Sequence, residues 1–487
     1  MKRKIILFFS IFIFIGLFSC NADTTDDRTP GASGGENAGN ANQTPSDEPK
    51  DMFASVGERD FGAYEFTFLT LEAGINDTNR FVQEIEVGEE IGDTINDAVF
   101  LRNSMLYDRY NVKIKAVPSM NPDGDARKTI KAGDNIYDVV NLYKASAMSL
   151  ASEGLFKNFH ELQNVDFSAP WWSSRCAAGL SVQGRLYNMS GSILISEIDD
   201  TLAMIFNKKL AEDYEVENLY SLVKQGDWTL DQMNKTVKSI SADLNGDGKF
   251  TPKDDLFGYI QDPASMTFNW VFSSDLLNGY IGGEGTYEPN VDFARCQSLV
   301  DKLYDLFADK QSAYTGLDLY EGLKYFEENR IFLYAIILRN IELLRGMNID
   351  FGVLPYPKLD KNQKSYLTHV GGASPIMCIP ITNGDNDRTG YVLEAMSIAS
   401  YNIVVPAYYD IALKTKYSRD DDSSEMLDVI LESRMYDISY YAGSSLINMI
   451  APMITKVEHN FASAYEKQSA NIFKNMQKTI DKLIDID

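Results

Sequence analysis

A strand pattern, a helix pattern and further strands follow one another from Tyr64, and this order limits the fold more than any other feature of the chain. Tyr64-Glu65-Phe66-Thr67-Phe68-Leu69-Thr70-Leu71 is rich in aromatic residues and alternates as a strand does. Asp93 or Thr94 is placed to cap a helix running to about Tyr110, with Ile95, Val99, Leu106 and Tyr110 near one face. Val112 to Val117 reads as the next strand, ended by Pro118, and a short helix from Ala126 to Ala132 leads to a third strand, Tyr137 to Leu142. Strands alternating with helices at this spacing indicate βαβ units and a largely parallel sheet. Active loops in such sheets lie beyond the carboxyl ends of the strands, which puts residues 71–76 and 143–146 on one rim.

A second region starts after Gly191. Thr201 to Asn207 is a strand-like apolar run followed by a helix from Lys208 to Tyr214, and Trp228-Thr229-Leu230-Asp231 opens another helix with Thr229 as its cap. Later strands are expected at Ile331–Leu338, Ile349–Val353 and Ile376–Ile379, and the tail from about Asp387 is helical by pattern.

The N-terminus carries an address. Lys2, Arg3 and Lys4 precede an apolar run from Ile5 to Phe18, then Ser19 and Cys20. Positive region, hydrophobic region, small residue and cysteine read as a lipoprotein signal peptide over 1–19. Cleavage after Ser19 would leave Cys20 lipidated, and the alternative is an uncleaved anchor. Residues 20–60 follow as a flexible tether of Asp, Thr, Gly, Ala, Asn, Ser and Pro, with almost no apolar side chain before Met52 and Phe53. The folded part is therefore expected outside the cytoplasmic membrane, held there by lipid.

The formal net charge is −25, and loss of the leader's three positive charges takes it to −28. Such a surface repels phosphate backbones, so nucleic acid is not expected as a partner. Cys176, Cys296 and Cys378 are too few and too widely spaced for a disulfide framework and read as buried thiols, with one bridged pair left open.

Asp243-Leu244-Asn245-Gly246-Asp247-Gly248-Lys249-Phe250-Thr251-Pro252-Lys253-Asp254 matches an EF-hand-type loop over 243–254. Asp243, Asn245 and Asp247 supply side-chain oxygens, Lys249 a backbone carbonyl, and Asp254 the closing carboxylate, with glycine at the sharp turn. The expected occupant is a structural Ca²⁺. Asp254 is shorter than the usual closing Glu, so Asp255 or water is expected to assist. An acidic Asn-Gly turn is the competing reading.

Catalysis finds little support. His160, His369 and His459 show no spacing for zinc or for a nucleophile–base pair, and there is no G-x-S-x-G, P-loop or dinucleotide fingerprint. The Gly282-Gly283-Glu284-Gly285 run reads as a flexible loop. The chain is not expected to be an enzyme, although a carbohydrate-active enzyme remains a lesser alternative.

Several stretches together resemble the extracellular solute-binding proteins of ABC importers, in the carbohydrate-oriented family 1 related to maltose-binding protein. They are Tyr137-Asp138-Val139-Val140, Gly184-Arg185-Leu186-Tyr187, Met204-Ile205-Phe206-Asn207-Lys208-Lys209-Leu210 and Asp227-Trp228-Thr229-Leu230. The calcium-type loop with Phe257-Gly258 follows, then Asp350-Phe351-Gly352-Val353-Leu354-Pro355-Tyr356-Pro357 and Gly371-Gly372-Ala373-Ser374-Pro375.

The resemblance implies an α/β, two-lobed, periplasmic-binding-protein-like fold of the class II type. Each lobe would be a central β-sheet flanked by helices, with the ligand in a hinge cleft. Lobe one would take 61–192 and 369–412, and lobe two 193–368, with the helical segment 413–487 mainly on lobe two. It further implies a lipid-anchored receptor, expected to be a monomer, that captures a small solute of oligosaccharide type and delivers it to an ABC permease. Sensing or scaffolding without transport is the alternative.

The same matching nominates Lys144 and Ser146 after the third strand, and Glu197, Asp199 and Asp200 at the crossing into lobe two. It adds Trp270, Arg339 after the 332–338 strand, and His369 at the return crossing. The competing readings are core packing for Trp270, a structural salt bridge for Arg339, a solvated crossing for Asp199 and Asp200, and a hydrogen-bonded core histidine for His369.

Overall fold

The computed structural model describes residues 51–72, 79–263, 266–276, 279–282, 285–344, 346–409 and 421–486. The leader, Cys20 and the linker to residue 50 lie outside them, as do residues 73–78 of the first rim loop, Gly283 and Glu284, and residues 410–420 of the tail. Among the described residues no helix is long and apolar enough to cross a membrane.

The strands in chain order are β1 (Tyr64–Leu71), β2 (Val112–Ser119), β3 (Val139–Tyr143), β4 (Leu202–Asn207), β5 (Phe257–Gln261), β6 (Tyr280–Ile281) and β7 (Tyr287–Glu288). There follow β8 (Ala313–Thr315), β9 (Ile331–Ile337), β10 (Phe351–Leu354), β11 (Thr368–His369), β12 (Pro375–Cys378) and β13 (Arg434–Met435). One sheet has the order β12-β3-β1-β2 and a second the order β10-β4-β9-β5-β8. β1, β2 and β3 run parallel, as the alternating pattern required. β12 pairs antiparallel with β3, because it enters the first sheet from the second one instead of through a helical crossover.

Local chemistry explains the elements. Asp93 accepts hydrogen bonds from the Ile95 and Asn96 N–H groups at 3.1 and 3.0 Å and so caps the helix Thr94–Tyr110. Asn111 ends it in the left-handed region, at φ 51°. The helix expected from Ala126 begins at Pro122, whose ring suits a first helical position. β2 continues through Pro118 instead of stopping there. It lies at the sheet edge, so the missing N–H breaks no ladder on its open side.

All six residues of β4 are buried, and its side chains alternate between two cores. Leu202, Met204 and Phe206 join one cluster with Trp228, Trp270 and Ile450, while Ala203 and Ile205 join another with Phe326, Tyr334 and Tyr408. A strand covered on both faces reads as a continuous apolar run, which is why it was visible in the sequence.

One sequence expectation is corrected here. Residues 51–60 fall in the expected tether, but Phe53 is buried, packs edge-on against Tyr110 at 5.6 Å and joins the core of the first sheet. Two apolar residues, Met52 and Phe53, were enough to end the tether early. Most buried residues of the tail, Met426, Leu427, Ile430, Ile450 and Phe461 among them, pack around the second sheet, while Tyr436, Tyr441, Met476, Ile480 and Leu483 reach the core of the first.

The chain crosses between the sheets at neighbouring segments. Thr201 bridges Val370 antiparallel, Gly371 N–H donates to Asp200 O at 2.8 Å, and β11 pairs parallel with β13.

Candidate functional site

The crossing at 196–201 opens with one helical turn, Ser196–Asp199, and every acidic side chain on it is buried. Burying a carboxylate is costly unless it is paired, and each of these is met by a different group. Glu197 forms an ion pair with Lys144 at 2.7 Å and accepts hydrogen bonds from Ser374 Oγ at 3.0 Å and from the Tyr436 hydroxyl. Lys144 Nζ also donates to the carbonyls of Gly371 and Ser374, both at 3.2 Å, and to Ser374 Oγ.

Asp199 accepts from the Tyr408 hydroxyl and lies 3.7 Å from Arg80 Nε, and Arg80 is also paired with Glu342. Burial raises the Asp199 carboxyl to about 6 against the pull of Arg80 and Tyr408. Asp200 faces Arg339 Nη1 at 3.1 Å, and burial raises its carboxyl while Arg339 opposes the shift. That ion pair is not aligned as a hydrogen bond: Asp200 Oδ1, Asp200 Oδ2 and Arg339 Nη1 all lack one.

Asp200, Arg339 and His369 line one cavity of about 320 Å³. Leu202, Phe268, Ile337, the Gly371-Gly372-Ala373 run and Tyr440 complete its wall. Arg339 is placed by the turn that follows β9 of the second sheet, His369 by β11 of the small β11-β13 pair and Asp200 by the crossing itself. Burial, with Lys144 nearby, pushes the His369 imidazole well below its usual range, so the ring is neutral.

The structure divides the nominated residues. Asp200, Arg339 and His369 come together in the cavity, and Arg339 is both cavity wall and salt bridge. Trp270 does not join them: its ring is buried between Tyr259 and Tyr356, and Nε1 donates to Gln261 at 2.8 Å. Lys144 is spent on Glu197 and on the 371–374 loop, so it supports the cavity wall from behind. Glu197 lines a separate space of about 440 Å³ beside Trp171 and Tyr401. Ser146 is half-buried on the helix Lys144–Ala151 and is not part of the cavity wall. The rim loop expected at 143–146 is the start of that helix, so those residues have little freedom to reach a ligand. Asp199 and Asp200 are not solvated, since both are only 2% exposed.

Phe268 and Tyr440 were missed. The aromatic density of Tyr436, Tyr440 and Tyr441 was the available signal, but nothing local to it points toward a crossing some 240 residues upstream.

In the calcium-type loop, Gly246 and Gly248 sit at φ 73° and 75°, where a side chain would be strained. Asp243 accepts from the N–H groups of Gly246 and Gly248 at 2.7 and 2.9 Å, Asn245 from Asp247 at 2.8 Å, and Asp247 from Lys249 at 2.7 Å. Asp254 is turned to the Thr251 hydroxyl, whereas the buried Asp255 accepts from the N–H groups of Leu244 and Thr251 at 3.0 and 2.8 Å. Asp255 therefore closes the loop. The donors are all hard oxygens, which suits Ca²⁺. Among the described residues no three acidic, His or Cys side chains converge as a metal cluster, because these oxygens are turned onto the loop's own N–H groups.

No protein-family model matches the chain, and no curated protein matches it by sequence. Solved structures do resemble it. A cyclic alpha-maltosyl-1,6-maltose binding protein of Arthrobacter globiformis superposes with a TM-score of 0.54 at 13% identity, covering 86% of this chain and 98% of that one. A sugar transporter of Rhizobium etli in an open conformation gives 0.54 at 12% identity, over 86% of this chain and 99% of that one. An ABC substrate-binding protein of Listeria monocytogenes in complex with cycloalternan gives 0.53 at 13% identity, over 85% and 99%. The fold is that of the two-lobed solute-binding proteins. The two main sheets of this chain each have a core of their own. The cavity at Asp200, Arg339 and His369 lies where the chain passes between them.

Proposed function

We propose that this chain is an extracytoplasmic, lipid-anchored solute-binding receptor of an ABC importer. It would capture a small saccharide between its lobes and hand it to a membrane permease. One observation carries the reading: the cavity at the crossing is lined by Asp200, Arg339 and His369, and both Asp200 carboxylate oxygens, Arg339 Nη1 and both His369 ring nitrogens have no hydrogen bond from the protein. Saccharide ligands of structural relatives, cycloalternan among them, support the solute class.

Binding without chemistry is the reading that the site favours. The cavity holds one carboxylate, Asp200, already paired with Arg339, while glycoside hydrolysis requires two across a scissile bond. Cys20 would supply the anchor and the linker the reach, which keeps the receptor near its permease at high effective concentration. In the calcium-type loop, Asp243, Asn245, Asp247, the Lys249 carbonyl and Asp255 would hold Ca²⁺. When bound, the ion would tie the loop to Leu256 and β5.

The test is thermal unfolding with a saccharide panel. A ligand at about a hundred times Kd adds about 2.7 kcal/mol of stability, and a panel with no stabilising sugar would sink the proposal.

A further inference from the structure

The His369 side chain is only 2% exposed, yet neither Nδ1 nor Nε2 has a hydrogen-bond partner. Carbon holds the ring instead. It lies parallel to Phe272 at 4.1 Å between centroids, with Tyr440 edge-on at 5.0 Å. Its backbone N–H donates to Asn269 Oδ1 at 2.8 Å, so main chain and rings fix the residue and leave both polar atoms over. Buried polar atoms in folded proteins are ordinarily paired, and a specific exception calls for an explanation. The explanation that fits is a ligand, because the same ring lines the cavity with Asp200 and Arg339.

We infer that His369 selects the ligand, and that the ligand is an uncharged saccharide of one or two rings. The inference rests on the receptor reading above and narrows it. A neutral imidazole has one donor and one acceptor, and a hydroxyl group is both, so a sugar satisfies either tautomer. His369 and Asp200 line the same cavity, so hydroxyls of one sugar would serve the ring nitrogens and the open lone pairs of the carboxylate. An anionic solute would meet the Asp200 charge and a cationic one Arg339, each in a space with little water to screen it. Phe268 and Tyr440 offer apolar faces for the C–H side of a ring. The cavity of about 320 Å³ lies near the lower end of the roughly 300–1,000 Å³ typical of small-molecule sites, which suits one or two rings.

The experiment is calorimetry of the full protein and of His369→Phe against D-glucose, D-mannose, D-xylose, maltose, cellobiose and maltotetraose. The expected result is binding of at least one mono- or disaccharide, weakened tenfold or more in His369→Phe. The melting temperature of the ligand-free variant should stay the same or rise, since phenylalanine leaves no orphaned nitrogen. Equal binding by both proteins overturns the role of His369 and leaves the receptor reading standing. Maltotetraose binding tenfold tighter than every smaller sugar overturns the size limit alone. No binding of any sugar overturns both readings.

A second measurement does not depend on the variant folding. The chain has three histidines, so ¹⁵N imidazole spectra are simple to assign. The His369 nitrogen signals should move on saturation with the bound sugar, and unmoved signals would refute the contact.

Discussion

The backbone N–H of Gly371 donates to the Asp200 carbonyl at 2.8 Å, and a Cβ at Gly371 would lie 3.2 Å from both that carbonyl and Asp200 Oδ2. The return crossing thus presses on the carboxylate that faces the cavity. A small shift here is felt by the ligand before it is felt by the fold. Gly371→Ala should therefore weaken saccharide binding about tenfold, or about 1.4 kcal/mol, with little change in melting temperature. Paired calorimetry and thermal unfolding check this, and an unchanged Kd would refute it.

Lys144 has a structural task that predicts a different outcome. Its ion pair with Glu197 is buried on both sides, and removing one partner of such a pair costs about 3–5 kcal/mol. Lys144→Met should lower stability by that order in urea unfolding. Lys144→Met with Glu197→Gln should recover part of the loss, because no buried charge is left unpaired.

Asp199 predicts a pH dependence. Its carboxyl lies at about 6 in the folded protein, above the ordinary 3.8, chiefly through burial. The folded state then holds the proton more tightly than the unfolded chain. The stability this brings is fully present below 3.8 and is lost as the pH rises through about 6. Each pKa unit is worth about 1.4 kcal/mol. Asp199→Asn should thus gain on the wild type by on the order of 2–3 kcal/mol across that window. Parallel stability curves for the two proteins would rule the effect out.

The calcium proposal separates two neighbouring aspartates. Excess Ca²⁺ should raise the melting temperature, and EDTA should reverse the rise. Asp255→Asn should abolish the calcium-dependent part, whereas Asp254→Asn should keep most of it, since Asp255 is the side chain turned into the loop. Loss in Asp254→Asn alone would restore the closing position read from sequence spacing.

Much of the architecture was legible because its causes are local. The Asp93 cap, the alternation of β1 and the apolar run of β4 each follow from residues close together in sequence. The same reasoning stumbled at Pro118, because only the sheet order makes β2 an edge strand that tolerates proline. It also overran the tether, since the burial of Phe53 depends on Tyr110, which lies on a later helix.

The site was legible in part. Asp200, Arg339 and His369 were nominated through the positions they share with a resembling family, and the structure places all three on one cavity. Trp270 and Lys144 came from the same matching, yet one is packed among core rings and the other is consumed by Glu197.

By itself the sequence determined β1, β4, β9 and the helix capped by Asp93, the acidic charge that disfavours nucleic acid, and the loop glycines at 246 and 248. Tertiary structure alone decided which polar groups are spent and which are open. A buried carboxylate or imidazole is free for a ligand only if no partner reaches it, and those partners come from elements hundreds of residues apart. Lys144 meets Glu197 and Ser374 and is satisfied, whereas His369 meets only aromatic faces and is not. Hydrogen bonding is short-ranged and directional, so no reading of spacing along the chain could have distinguished the two.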